Sequence, residues 1–96
     1  MATQLRHGDV LLTRVGNSMV GAHLADRTVT VARGEATGHA HRARGRGVAL
    51  RGDRLYAPAG GVIEHEEHHA LVLVPGEYHV RHQVELTRIG LQRVRD

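Results

Sequence analysis

The segment from Tyr78 to Thr87 constrains the fold more than any other part of the chain. Tyr78, Val80, His82, Val84 and Leu86 share one parity, and His79, Arg81, Gln83, Glu85 and Thr87 share the other. Side chains alternate between faces along a strand, so this period-2 pattern predicts one strand with a mostly apolar face and a polar one. The spacing places His82 on the apolar face, as a hydrogen-bonded core residue. It turns the His79 face to solvent. The remaining apolar segments are short and punctuated by glycine, which again favours strands over helices. Strands are expected over Gly8–Val15, Thr28–Arg33, Thr37–Arg44, Val48–Arg51, Arg54–Ala57, Gly61–His65 and Ala70–Val74. Ala70–Val74 is continuously apolar, as suits a strand buried on both faces. Asn17–Ala25 fits a loop or one helical turn. Gly52-Asp53 predicts a two-residue hairpin turn, and Pro75-Gly76 a tight turn. The polar tail from Arg88 to Asp96 offers Ile89, Leu91 and Val94 as anchors. The expected architecture is a single all-β domain over residues 1–96, either a small antiparallel barrel or a compact sandwich of short strands.

Composition narrows the chemistry. The chain has 96 residues, with no Phe, no Trp and no Cys. Its core must be aliphatic, and a domain this small buries only about 60–65% of its unfolded surface. A metal or a partner subunit can supply stability that such a thin core does not. Without cysteine there are no disulfides, thiolate metal sites or thiol nucleophiles. Ser18 lies outside any nucleophile-elbow pattern, and there is no phosphate-binding glycine loop. No apolar run approaches the roughly 20 residues of a membrane span, and residues 1–20 lack a signal-peptide pattern. A cytoplasmic location is expected. All thirteen basic residues are Arg, and the formal charge is +3. That is modest for a nucleic-acid binder, and the Arg42–Arg54 run has no aromatic residues interleaved for base stacking.

Histidine is the compositional outlier, with nine in the chain. His39 and His41 stand at i and i+2, on one side of a strand. There their imidazoles can converge on one ion at about 2.0–2.1 Å. Glu64-His65-Glu66-Glu67-His68-His69 is too polar to be buried whole in a sheet. A turn there brings His65 and His68 together, whereas an extended chain aligns His65, Glu67 and His69. A catalytic zinc site needs three protein ligands and an open position. His39 and His41 supply two, and one of His65, His68 and His69 the third. Glu66 and Glu67 are the candidate catalytic carboxylates, orienting a ligand imidazole or acting as base toward an ion-bound water.

Gly34-Glu35-Ala36-Thr37-Gly38-His39-Ala40-His41-Arg42, His65-Glu66-Glu67-His68 and Pro75-Gly76-Glu77-Tyr78-His79-Val80, with Gln83 and Glu85, resemble a family of small bacterial and phage β-rich proteins. The likeness covers about residues 34 to 86 and implies that His39, His41, His65 and His68 are the motif positions. It implies no reaction. The His39-Ala40-His41 pair also resembles the metal-binding pair of cupins, although Arg42–Gly47 lacks the carboxylate that follows it there.

The sequence therefore points to zinc, with Fe2+ or another divalent transition metal as the alternative, held by histidine in a homo-oligomeric protein. An open coordination position implies zinc-bound hydroxide acting on a small-molecule substrate, as in carbonic anhydrase-like hydration. The rival expectations are a metal-stapled structural module without turnover and an Arg-mediated nucleic-acid-binding module.

Overall fold

A computed structural model describes residues 4–17, 24–33, 39–82, 84–87 and 90–93. The described residues contain only strands, turns and irregular segments. The strands are β1 (Gln4–His7), β2 (Val10–Gly16), β3 (Asp26–Arg33), β4 (Ala40–Arg46), β5 (Ala49–Arg51) and β6 (Arg54–Ala57). They continue with β7 (Gly61–Glu64), β8 (Leu71–Leu73), β9 (Gly76–His82), β10 (Val84–Thr87) and β11 (Gly90–Arg93). One sheet has the order β1-β2-β9-β6-β5, a second β3-β4-β7-β8, and β10 and β11 form a two-stranded ribbon. All paired neighbours are antiparallel. The fold is an open sandwich of short strands, not a closed barrel. Among the described residues no helix is long and apolar enough to cross a membrane.

The core lies between the two larger sheets. Val10, Leu12, Leu55, Ala57, Tyr78 and Val80 from the first meet Val31, Ala32, Ala43, Ile63 and Leu73 from the second. Val31 and Ala32 are both buried although adjacent, because a bulge between Thr30 and Ala32 interrupts the alternation of β3. Tyr78 is the largest fully buried side chain. It satisfies its hydroxyl by donating to the Val74 carbonyl at 2.6 Å.

Two hairpins use the same dipeptide. Gly52-Asp53 joins β5 to β6, as its sequence predicts, and Gly8-Asp9 joins β1 to β2. Gly8 and Gly52 have φ of 62° and 58°, while among the described residues no non-glycine has positive φ. Positive φ at the first turn position alone is the type II′ pattern, which matches the twist of paired strands. The Gly8-Asp9 turn matters most for function, because it carries His7 and Asp9 into the interior.

Strand β4 runs very close to β7. A Cβ on Gly61 would lie 2.4 Å from the Arg44 carbonyl oxygen, and one on Gly45 would lie 2.5 Å from that of Gly60. Only glycine permits this approach, which fixes the register Arg42↔Glu64, Ala43↔Ile63 and Arg44↔Val62.

Three expectations need correction. Leu71–Leu73 is an edge strand rather than one covered on both faces, and Val72 is 74% exposed. A continuous apolar run cannot by itself distinguish these two environments. Tyr78–Thr87 is not one strand. Its alternation holds to Arg81, and the chain then forms β10, which pairs with β11 instead of the main sheet. His82 is exposed, not in the core, because it lies at the end of β9. The expectations for residues 18–23 and for Ile89 and Val94 fall outside the described residues, as does the 34–38 part of the first histidine segment.

Candidate metal centre

The β4–β7 register carries on beyond the last paired residues and builds one side of the site. It sets His41 against His65, Ala40 against Glu66 and His39 against Glu67. Three contacts follow that order. The His41 and His65 ring centroids are 4.4 Å apart. The Ala40 N–H donates to Glu66 Oε2 at 3.1 Å. His39 Nδ1 lies 3.3 Å from Glu67 Oε1. His39 itself precedes β4, and His65 is a neighbour of both it and His41.

Glu66 is exposed but fixed in place. Arg42 donates to its Oε1 at 2.9 Å, and with the Ala40 amide this holds the carboxyl down to about 2. The largest single cause is the Arg42 hydrogen bond. Glu66 is therefore ionised and able to ligate a cation at neutral pH. His39, His65 and Glu66 each offer one ligand atom, and all three atoms lie within 4.8 Å of one another. His65 is buried, and its Nδ1 accepts the Glu67 N–H at 3.0 Å. A ligand imidazole needs a proton on its other nitrogen. An ion here must therefore compete with the Glu67 amide for His65 Nδ1.

His7 and Asp9 build the other side, and sequence reasoning singled out neither. Both are buried, as is His41. His7 Nε2 donates to the His69 carbonyl at 2.8 Å, and His7 Nδ1 lies 2.8 Å from His41 Nδ1. His41 Nε2 in turn lies 3.2 Å from Asp9 Oδ1. Burial is the main reason that the His7 pKa is lowered, with the neighbouring His41, His68 and His65 adding to it and the His69 carbonyl opposing it. His7 is thus a neutral imidazole at neutral pH.

His68 completes the group. Its ring centroid is 4.6 Å from that of His65, 5.7 Å from His7 and 5.8 Å from His41. His69 is exposed and contributes its backbone carbonyl. His65 therefore has His39, His41, His68 and His7 as ring neighbours, with Glu66 and Glu67 on the His39 side and Asp9 behind His41. The dipeptide repeat was the signal for His7 and Asp9. Gly8-Asp9 has the composition of Gly52-Asp53, so the residues flanking it are hairpin ends.

A family model for a domain of unknown function (DUF8820) matches residues 6–83, and so takes in all of these residues. The chain belongs to that family. No curated protein and no solved structure matches it.

The ionisable groups set an expected pH profile for the metal-free DUF8820 chain. The unfolded chain takes up a proton at His7 below its ordinary value of 6.5, and the folded chain resists doing so. Stability therefore falls as pH drops below 6.5. It falls further below 4.5, where the unfolded Glu66 is protonated and the folded one stays ionised to about 2. At the other end, burial raises the Tyr78 pKa above its ordinary 10.0. Unfolding is then favoured as pH rises past 10, because only the unfolded phenol ionises. Melting temperatures taken across this range should form a plateau between those limits. A chain most stable at pH 4 would contradict it.

Proposed function

We propose that this chain binds a divalent transition metal, with zinc the leading ion and Fe2+ the alternative, at His39, His65 and Glu66. The observation that carries the reading is the convergence of their three ligand atoms within 4.8 Å. Two imidazoles and a carboxylate form a donor set used by catalytic zinc and by non-haem iron. Three protein ligands leave a coordination position open. An ion held there would lower the pKa of bound water to about 7 and would supply a nucleophile for hydration or hydrolysis of a small electrophile, CO2 being one case. Glu67, 3.3 Å from His39 Nδ1, is placed to orient that imidazole or to take a proton at the rim.

The metal reading accounts for more of the chain than a polyanion-binding one. Arg42, Arg44 and Arg54 are engaged with Glu66, Glu64 and Glu77 at 2.9, 3.0 and 3.3 Å. Their charge is largely offset locally. Elemental analysis of the purified chain should find zinc. A His39→Ala/Glu66→Gln double variant should lose the ion assigned to these residues, while a Thr28→Ala variant keeps it. Unchanged metal content in the double variant would overturn this assignment. Turnover of CO2 or an activated ester that stops on chelation and returns with zinc would separate an enzyme from a metal-stapled module.

A further inference from the structure

We infer a second, inner cation seat between His7 Nδ1 and His41 Nδ1, beside the His68 ring. The His69 carbonyl can only accept, so the nitrogen facing it, His7 Nε2, carries the proton of that neutral ring. The Asp9 carboxylate is likewise an acceptor, and it faces His41 Nε2. Each ring is thus held by an oxygen acceptor at Nε2, which turns its Nδ1 lone pair inward. The two Nδ1 atoms meet at 2.8 Å. Two lone pairs cannot face each other at that distance without a cation between them, either a proton or a metal.

A carbonyl or carboxylate behind the distal nitrogen is how metal-ligating histidines are oriented. Both rings have this support before any ion arrives. In the outer group only one ring has it: Glu67 Oε1 lies 3.3 Å from His39 Nδ1, whereas His65 Nδ1 accepts the Glu67 amide. His68 is nearly equidistant from the two inner rings, at 5.7 and 5.8 Å. In a tetrahedral shell with nitrogens at about 2.0–2.1 Å, imidazole centroids stand about 5.2 Å apart. Such a shell also separates the ligand nitrogens by about 3.3–3.4 Å, so zinc would part the Nδ1 atoms by about half an ångström.

The inner seat stands apart from the outer assignment, and one experiment separates them. The metal-free chain is titrated with zinc, and bound zinc is counted after gel filtration for the wild type, His7→Gln and Glu66→Gln. Histidine ring 15N NMR of the wild type accompanies the titration. The expected result is two zinc ions per chain, falling to one in each variant. The His7 and His41 Nδ1 resonances should move to the metal-bound range while their Nε2 atoms stay protonated. One ion that survives His7→Gln and is lost in Glu66→Gln, with the two Nδ1 resonances unmoved, overturns the inner seat alone. One ion lost in His7→Gln and kept in Glu66→Gln supports the inner seat and overturns the outer one. No bound zinc overturns both. Should His7→Gln fail to fold, the wild-type Nδ1 resonances decide the question.

Discussion

Replacing His41 with Ala should lower folding stability by about 1–3 kcal/mol, the usual cost of removing one partner of a buried hydrogen bond. His41 and Asp9 are 1% and 3% exposed. The substitution leaves the Asp9 carboxylate buried without the ring that faces it, and it opens a void beside His7, His65 and His68. Urea denaturation of the metal-free chain measures the effect. The Asp9→Ala/His41→Ala double variant should be milder than the sum of the two single variants, because neither partner of the contact is then left behind. A loss of only about 0.5 kcal/mol for His41→Ala, typical of a surface substitution, would contradict this account of the interior.

The second large effect is expected at a residue with no side chain. Gly61→Ala places a Cβ 2.4 Å from a backbone oxygen of β4, and neither strand can yield by moving a side chain alone. Overpacking of this kind destabilises by about 1–3 kcal/mol. The strands that must separate are those that set His41 against His65. Zinc affinity should fall with stability, by about tenfold for each 1.4 kcal/mol lost at the site. Gly16→Ala is the control, since a Cβ there meets nothing within 4 Å. Equal melting temperatures for the two variants would show that the β4–β7 approach is not a constraint.

Much of the secondary structure was legible in the residues, and the reason is local. Gly52-Asp53 specifies a turn through the φ that only glycine readily adopts, and Arg54–Ala57 follows as a strand with the bounds its sequence suggests. What was not legible is which strand lies beside which. Leu71–Leu73 looks like a central strand until the topology places it at an edge. Within the site, the histidine clusters at 39–41 and 65–69 were visible as composition, but His7 and Asp9 were not. A single His beside a turn carries no sign that it meets a residue 34 positions away. The packing of β4 against β7 and against the β1–β2 turn also assigns neighbours that spacing cannot. His39 lies beside Glu67, and His41 lies against His7 and Asp9, although the two histidines differ by only two positions.

The order of strands has a kinetic consequence. β2 pairs with β9, joining Val10 to His82 and Leu12 to Val80, and His7 reaches the carbonyl of a residue 62 positions later. Closing such long loops costs entropy before any stabilising contact forms. Chains dominated by distant pairings fold in about milliseconds to seconds, far more slowly than helical bundles of similar size. The imidazoles of the inner seat therefore come together only once distant parts of the chain have paired. An ion met before that step finds only local groups such as 39–41 or 65–69, so it has little to gain by binding early. Zinc should accordingly slow the unfolding of the finished domain far more than it speeds its folding.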